Sequence, residues 1–172
     1  MGKTVTFQTT MVIEEDDLVN LLSNAIETPE NCGCAWYKPT DQKAYDEAKA
    51  QLISERKPDA DDEICQVEIF ARLLMNGGTL QCLDPDSEWH WSGHKEGEML
   101  WKWQIIQEGC EPVGGEWHTV GLQEIANGIG KYASEHVASD LGTDLKKIVE
   151  DGDFWDADAI IQCAMYGEVV YG

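Results

Sequence analysis

Basic residues are scarce in this sequence. Among 172 residues there are 12 Lys and Arg against 33 Asp and Glu, which gives a formal net charge of −21. Because contacts between phosphates and Lys or Arg dominate the affinity of proteins for nucleic acids, we expect no direct binding of DNA or RNA. The same charge repels anionic membranes and attracts basic surfaces, cations or nucleic-acid-binding proteins.

Long apolar runs are also missing. No stretch approaches the roughly 18–20 apolar residues that a membrane span requires. Residues 1–13 contain a lysine and mixed Thr and Val, not the continuous apolar core of a signal peptide. The cysteines lie mostly in apolar or helical stretches, which is typical of reduced thiols. We therefore predict a cytoplasmic protein without membrane contact. The six cysteines are Cys32, Cys34, Cys65, Cys82, Cys110 and Cys163.

The chain nevertheless has what a folded core needs. Hydrophobic residues make up 42% of the sequence and there are seven tryptophans, which argues against disorder. The length predicts a single domain spanning residues 1–172, with a core of its own. Apolar residues spaced three or four apart predict about five or six helices. One of these lies within residues 38–58, which we interpret as a helical insertion. The predicted helices cover residues 14–28, 41–57, 59–75, 121–137, 143–149 and 156–166.

Alternation with a period of two predicts strands between and beside these helices. Tryptophans alternate along two segments, at Trp89 and Trp91 and at Trp101 and Trp103, as in paired antiparallel strands. The sequence therefore predicts an α+β fold, a small Trp-rich antiparallel sheet packed with the helices. Tryptophans in the sheet core are the plainer interpretation, and exposed binding anchors are the alternative. Further strands are predicted at residues 4–13, 79–83, 116–120 and 168–171.

The two ends of the chain carry different parts of a further pattern. Acidic residues precede residues 18–22 (LVNLL), Cys34-Ala35-Trp36-Tyr37 follows, and residues 156–172 close the chain as DADAIIQCAMYGEVVYG. Together with Gly77-Gly78-Thr79-Leu80 between them, these segments resemble a family of small uncharacterised proteins of phages and prophages. The resemblance implies a mobile-element origin, and hence a bacterial host cell as the location. It brings no catalytic residues with it.

Metal-ligand residue types occur at short spacing in two places, Cys32-x-Cys34 and His90-x3-His94. Structural zinc sites usually show Cys-x2–4-Cys pairs, so a tight turn and histidines beside a hairpin are the plainer interpretation. Two Asp-rich loops, starting at Asp84 and Asp151, lack the glycine at position six and the glutamate at position twelve of a calcium loop. We predict no metal and no cofactor.

Sequence motifs of catalysis are lacking as well. The chain has no Gly-x-Ser-x-Gly elbow, no cysteine in a recognisable protease context and no Gly-rich phosphate loop. Carboxylates are so abundant that no acid–base pair stands out. We expect that the protein is not an enzyme.

The carboxylates gather in four clusters without a basic residue, at 14–17, 59–63, 84–88 and 150–158. A net charge of magnitude about 2–8 already keeps a small domain soluble. The excess repels itself in the folded state, which points to a use for it. The candidate partner-binding residues are Glu14, Glu15, Asp16, Asp17, Asp59, Asp61, Asp62, Glu63, Asp84, Asp86, Glu88, Asp151 and Asp153.

Our leading hypothesis is a phage-encoded inhibitor of a bacterial defence system, of the anti-CRISPR or anti-restriction type. Its carboxylates would imitate phosphates and occupy the basic nucleic-acid groove of a host nuclease or CRISPR effector. Two alternatives stay open. One is a phage structural or assembly accessory protein whose acidity only keeps it soluble, and the other is a small metal-dependent enzyme or ligand-sequestering protein. The oligomeric state is left open.

Overall fold

A computed structural model describes residues 11–27, 36–56, 63–84, 87–92, 111–137 and 145–170. Within these ranges the chain forms six α-helices and antiparallel sheets, which confirms the predicted α+β class. A π-helical turn, Ala133–Val137, continues the fourth helix. The helices are α1 (Glu15–Glu27), α2 (Gln42–Glu55), α3 (Gln66–Met75), α4 (Leu122–Tyr132), α5 (Leu145–Asp151) and α6 (Phe154–Tyr166).

The described strands form two antiparallel sheets. In the larger sheet, β2 is the central strand and pairs with β1 on one side and β5 on the other. The smaller sheet pairs β3 with β4. The strands are β1 (Trp36–Pro39), β2 (Thr79–Leu83), β3 (Trp89–Trp91), β4 (Pro112–Gly114) and β5 (Trp117–Gly121).

One face of the larger sheet covers the core. Because side chains alternate along a strand, the cross-strand register places Tyr37, Cys82 and Val120 on that face, and all three are buried. Trp117 lies on the opposite face, half-buried, with the Lys38 ammonium 3.7 Å from its ring centroid. The core face of this sheet therefore includes Leu80 and His118 as well, whereas Trp101 and Trp103 lie outside the described residues.

The helices supply most of the core, as their apolar spacing predicts. In α1, Leu18, Leu21, Leu22 and Ala25 are at most 2% exposed. This helix packs against α3, α5 and α6, and α2 also packs against α3. The helix predicted at 41–57 is present as α2, whereas the single domain and the insertion remain predictions.

Helix α4 packs closely against α6, and Gly128 makes that approach possible. A Cβ atom at Gly128 would lie 2.5 Å from the carbonyl oxygen of Ile160 and 2.9 Å from the amide nitrogen of Ala164. Both distances are shorter than van der Waals contact. The backbones therefore meet where α4 has no side chain.

Two helices begin at other residues than the sequence predicts. The third helix does not begin in the acidic segment 59–63, because residues 63–65 are not helical and Cys65 is the N-cap of α3. Likewise α6 begins at Phe154, two residues before the predicted Asp156. The reason is that the Asp153 carboxylate accepts hydrogen bonds from the amides of Trp155 and Asp156 and so caps the helix.

Two predicted strands are wrong where the structure describes them. Residues 11–13 and residues 168–170 have no strand pairing. The Val170 amide instead donates to Oε1 of Gln162, a side chain of α6, so this segment lies along its own helix. Residues 4–10, the predicted Trp101–Trp103 strand and Tyr171 lie outside the described residues, whereas the strands at 79–83 and 116–120 are confirmed as β2 and β5.

Candidate functional site

The acidic start of α1 faces both solvent and core. Glu14 and Asp16 are exposed, whereas Asp17 is 3% exposed. Its Oδ2 accepts a hydrogen bond of 2.8 Å from the backbone amide of Glu14. Asp17 therefore closes the first turn of the helix from inside, and the surface of this cluster is made by its neighbours.

Four helices, α1 among them, share this arrangement. In each, a carboxylate in the first turn bonds back to the amide of the residue three positions earlier, which is one half of a capping box. An acidic residue at this place also opposes the positive end of the helix dipole. Part of the acidic clustering therefore serves the helices themselves. The pairs are Asp17 with Glu14, Glu68 with Cys65, Glu124 with Gly121 and Asp156 with Asp153.

Arg72 joins the start of α1 to the end of α2. Its Nε donates to Glu15 Oε2 at 2.8 Å, and its two terminal nitrogens donate to the carboxylate of Glu55 at 3.0 and 2.9 Å. The hydrogen bond from Arg72 lowers the pKa of Glu55, and its bonds to Glu55 and Glu15 raise the pKa of Arg72. The Arg72 side chain is 15% exposed and that of Glu15 is 27% exposed, so this pair is partly shielded from solvent.

A second arginine lies beside α3. Arg56 Nη2 donates to Glu68 Oε1 at 2.6 Å, and Glu68 Oε2 accepts from the Cys65 amide at 2.8 Å. Burial raises the pKa of the Glu68 carboxyl, but the hydrogen bonds from Cys65 and Arg56 outweigh it, so the pKa lies below its ordinary value. Glu68 thus holds α2 and α3 together as well as capping α3.

Most basic side chains of the described residues are engaged within the molecule. Besides the two arginines, Lys43 pairs with Glu47, Lys131 pairs with Glu135, and Lys38 lies over Trp117. Each cation is thus held by a carboxylate or a ring of its own chain. The remaining exposed carboxylates therefore face solvent with little neutralising charge.

The cluster at 150–158 divides between surface and interior. Glu150 and Asp153 are exposed, while Asp151 is the last residue of α5. Asp156 accepts a hydrogen bond from the hydroxyl of Tyr132, and burial together with this bond raises the pKa of that tyrosine. Trp155, which lies between Asp153 and Asp156 in the sequence, is 49% exposed.

Farther along α6 the acidic pattern turns inward. Asp158 is 5% exposed, and its Oδ2 accepts a hydrogen bond of 2.7 Å from Nε2 of Gln162, which is fully buried. Gln162 also accepts from the amide of Val170 at 2.8 Å. This pair secures the segment after α6, so Asp158 contributes to the fold and not to the acidic surface.

The cluster at 84–88 lies next to a histidine, His118, that belongs to no motif in the sequence. His118 Nε2 is buried and lies 3.9 Å from Oδ2 of Asp84 and 4.0 Å from Oε1 of Glu116. The ring of Tyr166 approaches that of His118 edge to face at 4.8 Å. Asp84 is half-buried, whereas Glu88 is exposed. The period-two pattern of β5 places His118 on the core face, and this was the signal available in the sequence.

The remaining candidate residues are only partly described. Glu63 is exposed. Asp59, Asp61, Asp62 and Asp86 lie outside the described residues. Arg72 brings Glu15 and Glu55 together. A 3.1 Å hydrogen bond from Asn24 Nδ2 to the carbonyl of Gly152 joins α1 to the segment before α6.

Among the described residues, no group of three or more His, Cys, Asp and Glu is arranged to hold a metal ion. His90 is exposed, while Cys32, Cys34 and His94 lie outside these ranges. No helix in the described ranges is both long and apolar enough to cross a membrane.

Comparisons with protein-family models, with curated proteins and with solved structures give no match for this chain. Its function is therefore inferred from its residues and their geometry.

Proposed function

We propose that this protein is a phage-encoded inhibitor of a bacterial defence system that acts by stoichiometric binding. Its carboxylates would occupy the basic nucleic-acid groove of a host nuclease or CRISPR effector and so exclude the natural ligand. The observation that supports this proposal is the net charge of −21 together with the pairing of Arg56, Arg72 and Lys131 with carboxylates of the same chain. These three cations are thus neutralised by carboxylates of the same chain, and the many other carboxylates carry the excess negative charge.

The start of α1 and the end of α2 form the acidic surface that the contacts define best. We name it the α1 surface, and its members are Glu14, Asp16 and Glu55. Arg72 fixes Glu55 beside Glu15 from below, so one guanidinium supports carboxylates from two helices. A fixed array of exposed negative charge attracts a basic groove at long range and loses this attraction as salt is added.

The test uses purified host restriction nucleases and a guide-loaded CRISPR effector, each with its DNA substrate. We expect cleavage to stop near one equivalent of the protein at low salt. Inhibition should weaken steeply when the ionic strength rises from about 0.05 M to about 0.3 M, because charge screening shortens the interaction to a few ångströms. A variant carrying Glu14→Lys and Asp16→Lys should inhibit at least tenfold more weakly. Both side chains are exposed, so we expect the fold to be retained.

The matched control changes the same charge elsewhere. Asp46→Lys with Glu111→Lys also replaces two exposed acids and shifts the net charge equally, but neither residue belongs to the candidate set. If both double variants lose inhibition equally, only total charge matters and the α1 surface is not the binding site. If no nuclease is inhibited and the protein instead forms homo-oligomers or associates with virions, an assembly role replaces this proposal.

A further inference from the structure

Trp155 is a large aromatic side chain left at the surface in the first turn of α6. It is 49% exposed, and its ring centroid lies 4.5 Å from that of Phe154, with the rings tilted by 38°. The neighbouring ring limits the freedom of the indole. A rigid, half-exposed tryptophan is typical of the anchors that carry binding energy at protein interfaces.

All charged residues near Trp155 in the sequence are acidic. Residues 148–170 contain no Lys, Arg or His. Asp153 and Glu150 are exposed on either side of Gly152. Both cap bonds of Asp153 use Oδ1, at 2.9 and 3.1 Å, so its second oxygen can accept a further donor. We name Glu150, Asp153, Phe154 and Trp155 the Trp155 corner.

The segment that carries this corner contacts α1. The carbonyl of Gly152 accepts a 3.1 Å hydrogen bond from Asn24 on α1. Asp16, Asn20 and Asn24 follow one another at intervals of four along that helix, and the first two are exposed. At 1.5 Å per residue, the level of Asp16 lies about 12 Å from that of Asn24. A polar stripe therefore runs from Gly152 to the acidic start of α1.

We propose that the Trp155 corner receives an arginine of a basic partner segment. The guanidinium plane would stack on the exposed indole and donate to the Asp153 carboxylate, while the rest of the segment follows the stripe towards Asp16. Arginine fits better than lysine because its planar group stacks and donates at the same time. This inference rests on the proposed function and names the chemistry of the partner that it requires.

The test titrates the intact protein with a twelve-residue peptide of alternating Arg and Ser, and with the matching Lys–Ser peptide. Proton–nitrogen NMR follows the indole signals, the one from Trp155 being assigned by its loss in Trp155→Phe. We expect the Trp155 indole to shift at the lowest peptide concentrations. The Trp117 indole, which donates to the Gly114 carbonyl at 3.1 Å, serves as the reference that stays in place.

Calorimetry on variants then measures the contribution of each group. Trp155→Ala should weaken the Arg–Ser peptide about 3- to 30-fold, as loss of a cation–π contact requires. Asp153→Asn keeps an N-cap of similar quality and should weaken binding several-fold at low salt. Ile53→Ala removes an equally exposed apolar side chain of α2, 58% exposed, and should leave the affinity unchanged.

Two results would overturn the Trp155 corner. One is binding of the Arg–Ser peptide with a stationary Trp155 indole and an unchanged affinity for Trp155→Ala; the other is no binding of the peptide at all. Neither result touches the proposed function, which the nuclease assay on the unmodified protein decides separately. Conversely, the peptide could bind in a Trp155-dependent way while the nucleases keep cutting. That result would support arginine binding at the Trp155 corner and contradict the proposed inhibitor function.

Discussion

Two acidic helix starts, those of α1 and α6, look alike in sequence and differ in what surrounds them. At α1 the carboxylate of Glu15 is bound by Arg72, and Asp17 is buried. At α6 the cap residue Asp153 is exposed, and no basic residue occurs from 148 to 170. Beside it Trp155 is half in solvent. The acidic start of α1 is therefore divided between residues bound within the fold, Glu15 and Asp17, and its exposed acids. The cap residue of α6 is exposed to solvent and has no ion pair among the described residues.

The difference follows from how each helix is anchored. The start of α1 is tied to α3 by an ion pair, whereas α6 is held along its length by its close approach to α4 at Gly128. The bond from Tyr132 to Asp156 adds a second tie between α4 and α6. Because backbone contact secures α6, its acidic start needs no cation of this chain, and its charge remains available to a partner.

The largest effect is expected from adding a side chain where α4 and α6 are in close contact. Gly128→Ala should lower the free energy of unfolding by about 2–3 kcal/mol, because the new Cβ meets backbone atoms that cannot rotate away. Gly130→Ala in the same helix is the control, since its Cβ would meet nothing within 4 Å. That change should stabilise by about 0.5–1 kcal/mol through the higher helix propensity of alanine. Urea unfolding of both variants measures the difference; equal effects would contradict the anchoring of α6 by close packing.

Removing the cation from the α1 side comes next. Arg72→Gln should cost about 1–2 kcal/mol in urea unfolding, because Glu15 and Glu55 are left close together with their charges uncompensated. In Lys43→Gln the lost pair with Glu47 is highly exposed, 85% and 62%, and the cost should stay below about 0.5 kcal/mol. A second-site change, Glu15→Gln, should recover part of the loss in Arg72→Gln. No recovery would mean that Arg72 stabilises through packing of its stem alone.

Much of the helical fold could be predicted from spacing alone. The apolar positions of α1 and α3 have the period of a helix with one buried face, and that face is the core. The acidic residues were harder to interpret, because sequence spacing does not show which partner a carboxylate meets. Asp17 resembles its exposed neighbours, yet the closure of the first turn takes it inside.

The parts of the site that sequence reasoning missed depend on distant residues. Arg72 lies 57 positions from Glu15, and Asn24 lies 128 positions from Gly152, so neither contact leaves a local pattern. Trp155 was overlooked for another reason. Its neighbours on α6 point inward, and only the cap at Asp153, which moves the helix start two residues earlier than predicted, shows that Trp155 occupies an exposed first turn.

The cap itself gives a smaller, sharper test of the α6 side. Asp153→Ala should lower the free energy of unfolding by about 1 kcal/mol, since two amides lose their acceptor. Asp153→Asn should cost only a few tenths of a kcal/mol, because the amide oxygen caps as well as a carboxylate does. Both variants lose the same charge. Equal destabilisation would show that Asp153 acts through charge, and would set α6 beside α1 as a helix start held by electrostatics.

The ion pair between Arg56 and Glu68 should also make the stability of the fold depend on pH in acid. The folded pKa of Glu68 lies below its ordinary value of 4.5, so below about pH 5 the unfolded chain binds more protons than the folded one. The stability from this carboxylate is therefore present above pH 4.5 and is lost as the pH falls through the folded pKa. Partial exposure and screening limit the contribution to less than about 1 kcal/mol.

Glu68→Gln isolates this contribution from the rest of the acidic chain. Protonation of the many other carboxylates also relieves repulsion in acid, and this relief is common to variant and parent. The difference in unfolding free energy between the two should be largest near neutral pH and shrink between pH 5 and pH 3. Glu111→Gln, which removes an exposed acid, should show a difference from the parent that stays near zero. If the difference in unfolding free energy between Glu68→Gln and the parent persists unchanged to pH 3, the hydrogen bonds hold the protonated carboxyl as firmly as the ionised one. The contact between α2 and α3 is then not electrostatic.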